Sequence, residues 1–201
     1  MSRGASPAPA PAAPRQRWRV VYRRRADAPT LPQRDQLAAW ETSLTLSGLP
    51  LARLGAAVTR PRLVFAAPLG VGMAAERELL DLFLEDRRSI AEVRVRLAGS
   101  LPAGHELIDL HDVWLGDPPL PGQVVAAEYR LEVTTPEHDG AVGDPAPDAV
   151  AERVDRAGAP DTGTLVAACT HLLAAVALPR ARDKGGRTVA YDLRPLVLDV
   201  R

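Results

Sequence analysis

Cysteine is nearly absent. Cys169 stands alone in 201 residues, which excludes an intrachain disulfide, and equally an iron–sulfur cluster or a cysteine-based zinc site held by this chain alone. A single thiol is consistent with a reducing compartment. Aromatic residues make up only 4% of the chain, and the 46% hydrophobic content is inflated by alanine, so a core must be packed mainly from Leu, Val and Ala. Lysine is scarcer still, because Lys184 is the only one. Positive charge is therefore almost wholly guanidinium, suited to bidentate contacts with phosphate or carboxylate, although a GC-rich genome would leave the same mark. No apolar run approaches the length of a membrane span. Residues 1–15 lack the apolar centre of a signal peptide. A cytoplasmic protein without a membrane association is the expectation.

The formal net charge is zero, but the charges are segregated. Arg15, Arg17, Arg19, Arg23, Arg24 and Arg25 crowd the start, whereas Glu137, Asp139, Asp144, Asp148, Glu152, Asp155 and Asp161 mark a later acidic segment. Local fields matter more than their sum.

The stretch around which the chain is organised runs from Arg60 to Gly72, with an apolar run Leu63–Pro68 bounded by Gly and Pro signals. It predicts a strand covered on both faces, ending in a constrained turn. Before it, the Pro/Ala-rich residues 1–16 predict a disordered, solvated tail. Trp18, Val20 and Tyr22 then alternate with Arg17, Arg19, Val21 and Arg23, the period of a half-buried strand. Thr30-Leu-Pro-Gln33 resembles a capping box, and Leu37, Trp40 and Leu44 carry a helix over about 32–47.

Residues 78–84 satisfy strand and helix periods alike. A second capping box, Ser89-Ile-Ala-Glu92, opens a helix over 89–98, and a strand comes after it near 105–114. If 78–84 is a strand, the order is β-α-β-β-α-β, a ferredoxin-like domain over residues 17–116. Gly116–Gly122 reads as a linker. A second domain over 123–201 would open with an amphipathic strand at 124–133. An acidic, disordered insertion at 136–162 comes next, then a helix from about Thr164 to Ala177 and a hairpin turning at Asp183-Lys-Gly-Gly186. The predicted class is thus α+β: a ferredoxin-like βαββαβ domain and a smaller βαββ unit, antiparallel sheets with helices on one face.

Four patterns bear on chemistry. Gly70-Val-Gly72-Met-Ala-Ala75 fits the dinucleotide fingerprint, which requires a helix directly after it; otherwise it is a pair of turn glycines. His105, Asp109 and His111 would share a strand face as ligand-type or acid–base side chains, against the alternative of a solvated edge. Cys169 and His171, two apart on a predicted helix, do not face each other as a nucleophile pair needs. The arginine clusters remain. Arg17–Arg25, then Arg60 and Arg62, and Arg180, Arg182, Lys184 and Arg187 on the last hairpin are candidates for a basic surface that binds phosphate, with Trp18 and Tyr22 as stacking groups if exposed. Scattered, solvated charge is the competing reading. No catalytic residue, metal ligand set or cofactor is expected from the chain's motifs, and an enzyme is the less favoured class.

At Gly48-Leu-Pro-Leu51, Pro61-Arg-Leu-Val-Phe-Ala66, Leu69, Gly72 and Glu78-Leu-Leu-Asp-Leu82 the chain resembles the radical-SAM-linked protein family, a bacterial domain of unknown function. Ala127-Glu-Tyr-Arg130 and Asp192-Leu-Arg-Pro-Leu196 are similar to it as well. Members lie beside, or are fused to, a radical S-adenosylmethionine protein. The resemblance implies an accessory role to such an enzyme, with RNA as a further partner by fold-level analogy, and it favours a strand at 78–84. Family members usually begin their first helix with Ser-His-Leu-Asp; here Pro32-Gln33-Arg34-Asp35 keeps only the Asp. A Gly-Phe-Asn-Pro stretch is replaced near Ala56–Thr59, with Arg60 before the retained Pro61. Asp35 and Gly72 therefore count as positional features rather than as reactive groups.

Overall fold

The structure, a computed structural model, describes residues 13–54, 60–67, 69–132 and 161–200. These fall into two compact units, divided between Glu128 and Tyr129. The start of the expected tail and nearly all of the acidic insertion lie outside the described residues.

Unit one is built on a four-stranded antiparallel sheet. Strand β1 (Gln16–Arg24) is followed by helix α1 (Gln33–Leu46), a minimal hairpin of β2 (Arg53–Leu54) and β3 (Arg60–Pro61), and strands β4 (Leu63–Phe65) and β5 (Ala75–Leu84). Helix α2 (Ile90–Ala98) and strand β6 (His105–Val113) complete it. The sheet order is β4-β5-β1-β6, the ferredoxin-like arrangement the sequence predicts. The ambiguous segment is a strand, since β1 pairs with it from Gln16↔Leu84 to Tyr22↔Glu78. Apolar residues on every second position give one greasy face, and both helices lie on it. Trp18, Val20, Tyr22, Leu80, Leu82, Leu84 and Leu110 from the sheet are buried with Trp40 and Leu44 of α1 and Val93 and Leu97 of α2.

Three local expectations need correction. Leu63–Pro68 is not a strand covered on both faces: β4 is three residues long, half-buried, and an edge strand paired only with β5. Only Leu63, Val64 and Phe65 pair with β5, at Leu82, Asp81 and Leu80. Pro32 caps α1 without a side-chain hydrogen bond, so Thr30–Gln33 is no capping box, whereas Ser89 does accept from the Glu92 N–H at 3.2 Å. Gly116–Gly122 is no free linker either. It returns across the helix-free face of the sheet, where Leu120 is buried.

Unit two holds helix α3 (Thr162–Ala174) and an antiparallel hairpin of β7 (Pro179–Lys184) and β8 (Arg187–Asp192). Asp161 caps α3 by accepting from Thr164 N–H at 2.9 Å. Gly185 and Gly186 both have positive φ, 59° and 76°, which a two-residue turn that matches strand twist demands. The strand expected at 124–133 is irregular through residue 132, with Val125, Tyr129 and Leu131 exposed. Alternation supplied the pattern, but among the described residues no neighbouring strand supplies the ladder. The hairpin is therefore two-stranded among the described residues.

Candidate nucleic-acid interface

The six pairs of β7 and β8, from Pro179↔Asp192 to Lys184↔Arg187, fix which side chains share a face. Alternation puts Arg180, Arg182 and Lys184 on the same face as their partners Tyr191, Val189 and Arg187. Pro179, Ala181, Asp183, Thr188, Ala190 and Asp192 take the other. All four cations predicted on this hairpin therefore lie on one side, with an aromatic ring among them, and both carboxylates lie opposite. Every one of these residues is exposed. The Arg182 guanidinium sits 5.7 Å from the Tyr191 ring centroid, within the range of a cation–π contact. Arg180 Nη1 donates to the carbonyl of Pro179 next to it at 2.9 Å. From Arg180 to Lys184 the cations span about 14 Å at the usual rise of an antiparallel strand.

The carboxylates on the reverse side have structural work. Asp192 accepts from the Leu178 N–H at 2.7 Å and the Arg194 N–H at 3.0 Å, and these bonds hold its carboxyl below the usual range. Asp183 accepts from the Thr188 hydroxyl at 2.9 Å. Arg194 faces inward as a clamp. It donates to the carbonyls of Leu173, Ala175 and Val197, so the end of α3 is tied to the chain beyond β8. Much of the Asp192–Leu196 motif is thus a fastening for unit two.

The arginines of unit one behave differently. Arg60, on β3, is exposed and lies 3.9 Å from Glu41. Arg62 is half-buried, its guanidinium 4.2 Å above the Phe83 ring. The expectation of a basic surface along β1 fails at its centre, because Arg17 and Arg19 are turned into the helix-free face and spent on Asp81. Arg17 donates to Asp81 Oδ2 at 2.8 and 2.5 Å, and Arg19 reaches Oδ1 at 2.9 Å and Oδ2 at 3.1 Å. Asp81 is completely buried and Arg17 is 3% exposed. The remaining guanidinium N–H groups hold the returning chain through the carbonyls of Asp117 and Pro118 and the Gln123 side chain. A carboxylate in the middle of Leu-Leu-Asp81-Leu-Phe-Leu was the available signal for this cluster. Trp18 and Tyr22 are core residues, 2% and 4% exposed, and offer no stacking surface.

The ligand-type run on β6 is divided by a bulge at Ile108. Tyr22 pairs with Leu107 and Val21 with Asp109, so the register slips by one. His105 consequently lies on the helix side, its ring 5.4 Å from Trp40 and 5.7 Å from Tyr22, while Asp109 and His111 lie together at 3.3 Å beyond the bulge. The shared face expected for the three does not exist. Asp35 is exposed in the first turn of α1. Among the described residues no group of three or more His, Cys, Asp or Glu side chains is placed to hold a metal ion. Gly72, at φ 77°, turns the chain between β4 and β5. The segment after Gly70-Val-Gly72 is strand β5, not the helix a dinucleotide fingerprint needs. No helix among the described residues is long and apolar enough to cross a membrane.

From residue 17 to residue 201 the chain matches the model of an uncharacterized protein family conserved in bacteria (DUF2344), and it belongs to that family. No curated protein matches it.

Proposed function

We propose that this member of a bacterial family is a binding protein rather than an enzyme: it holds RNA on the cationic face of the β7–β8 hairpin, as accessory to a radical SAM enzyme. The observation that carries the RNA reading is the register that gathers Arg180, Arg182, Lys184 and Arg187 beside Tyr191 on one exposed face. Cations that neutralise phosphates release condensed counterions, and an aromatic among them gives a base somewhere to stack. The hairpin's own two carboxylates, Asp183 and Asp192, stand on its opposite face. Arg60 and Arg62 on unit one are the further anion contacts, Arg62 held in place by Phe83.

The radical SAM partnership rests on the sequence resemblance at Gly48–Leu51, Pro61–Ala66 and Glu78–Leu82. It is chemically coherent with a chain whose one cysteine cannot hold the cluster that such chemistry uses. An enzymatic role is disfavoured by the bulge that puts His105 on the opposite face from Asp109 and His111. The competing non-catalytic role is a scaffold that binds the radical SAM protein without nucleic acid.

Recovery of the tagged chain from its own cells, with and without nuclease, separates these roles. A defined RNA that is lost when Arg180, Arg182, Lys184 and Arg187 are replaced by alanine supports the proposal. Recovery of a radical SAM protein alone, indifferent to nuclease and to those four residues, would leave the scaffold.

A further inference from the structure

Arg24 closes β1 in an unusual position. It is a guanidinium only 3% exposed, and among the described residues no carboxylate forms an ion pair with it. Its Nη1 donates to the carbonyl of Met73 and its Nη2 to that of Pro29, the latter at 2.9 Å. A guanidinium has five N–H donors and does not lose its proton in a protein, so it cannot escape burial by becoming neutral. Two carbonyl dipoles solvate it in part, but among the described residues no carboxylate pairs with the charge, where buried charges are normally paired. The contrast with Arg17 and Arg19, which share the fully buried Asp81, is within the same strand.

Arg24 lines a cavity of about 100 Å³. Its other walls are Pro29 and Leu31, Gln36 and Ala39 of α1, and Pro102, Ala103 and His105. His105 Nδ1 lies 3.1 Å from the Ala103 carbonyl oxygen, so that nitrogen carries the proton and donates. Burial and the neighbouring Arg24 both hold the imidazole below its usual pKa, leaving Arg24 as the single positive group of the lining. An opening of this size, apolar on most sides with one cation and one amide, suits a small anion that carries a short apolar group.

We propose that this cavity binds a carboxylate with a short aliphatic tail, its oxygens on Arg24 and its carbon chain against Pro29, Leu31, Ala39 and Pro102. The same chemistry is presented by a free short-chain acid and by the C-terminus of a peptide. The site lies in unit one and does not depend on RNA binding by the hairpin.

The experiment is a thermal-unfolding titration of the full chain with propionate at constant ionic strength. A tripeptide with a free C-terminus and the same tripeptide as its amide are run alongside. A saturable rise in Tm with propionate is expected, and a rise with the acid tripeptide but not the amide would add the chain-end source. Arg24→Gln should weaken the response roughly tenfold or more, the usual cost of losing charge-assisted hydrogen bonds. Should Arg24→Gln fail to fold, Ala39→Leu keeps the guanidinium but fills the cavity, and it should abolish the response. No shift beyond that of matched sodium chloride, or shifts equal in wild type and Ala39→Leu, would overturn the proposal.

Discussion

Asp81 compensates two arginines at once, and its removal leaves the buried Arg17 and the half-buried Arg19 without a carboxylate. Asp81→Asn should therefore destabilise unit one by about 3–5 kcal/mol, the range for breaking a buried pair, read as a lowered urea midpoint. Glu78 gives a second test at this scale. Partial burial raises its carboxyl pKa, so ionisation is penalised more in the folded chain than in the unfolded one. The group makes no demand below its unfolded pKa, and stability is lost as pH rises through the folded value. Glu78→Gln should accordingly raise Tm at pH 7 and leave it unchanged near pH 3; an equal rise at both would mean that the amide adds packing or hydrogen bonds instead. Residue chemistry of this kind was only partly legible. The alternation of Arg17 and Arg19 with Trp18 and Val20 correctly separated two faces. It did not reveal that the arginine face is also buried, because that depends on a segment a hundred residues later folding back over it.

At the level of elements, some locally punctuated patterns held, and several patterns that depend on a neighbouring strand did not. Ser89 caps α2 as its spacing with Glu92 implies, and Ser89→Ala should cost about 1 kcal/mol of stability, measurable by chemical denaturation. Gly48 ends α1 with φ at 67°, and a Cβ there would lie 2.9 Å from Arg96 Nη1. Gly48→Ala should thus be destabilising by about 1 kcal/mol or more, with a corresponding drop in Tm. By contrast, Val124–Glu132 has the alternation of a strand but no ladder, and the β6 run lost its common face to one extra residue at Ile108. A bulge is a relation between two strands, invisible in either alone. The hairpin was legible as an element from Lys184-Gly-Gly-Arg187. That its four cations share a face is decided only once the turn has fixed the register, since a shift by one residue in either strand would change which residues stand side by side.

For the whole molecule, a formal charge of zero conceals two different uses of arginine. In unit one Arg17, Arg19 and Arg24 are interior and fasten the sheet to the chain around it. In unit two Arg180, Arg182 and Arg187, with Lys184, are exposed on one side of a ribbon. The second kind is exposed to solvent and to any external anion. The ferredoxin-like order was legible because six segments of the right period came in the right sequence, while the partner of the cationic ribbon is a matter of chemistry outside the chain. That chemistry is read most directly by equilibrium binding of a single-stranded RNA to the full chain across a range of salt. If the four hairpin cations each neutralise a phosphate, log K should fall with log[salt] at a slope of about −3. The variant with all four replaced by alanine should lose most of the binding and most of the slope. A wild-type affinity indifferent to salt, or a variant that binds as the wild type does, would contradict the hairpin as an RNA-binding surface.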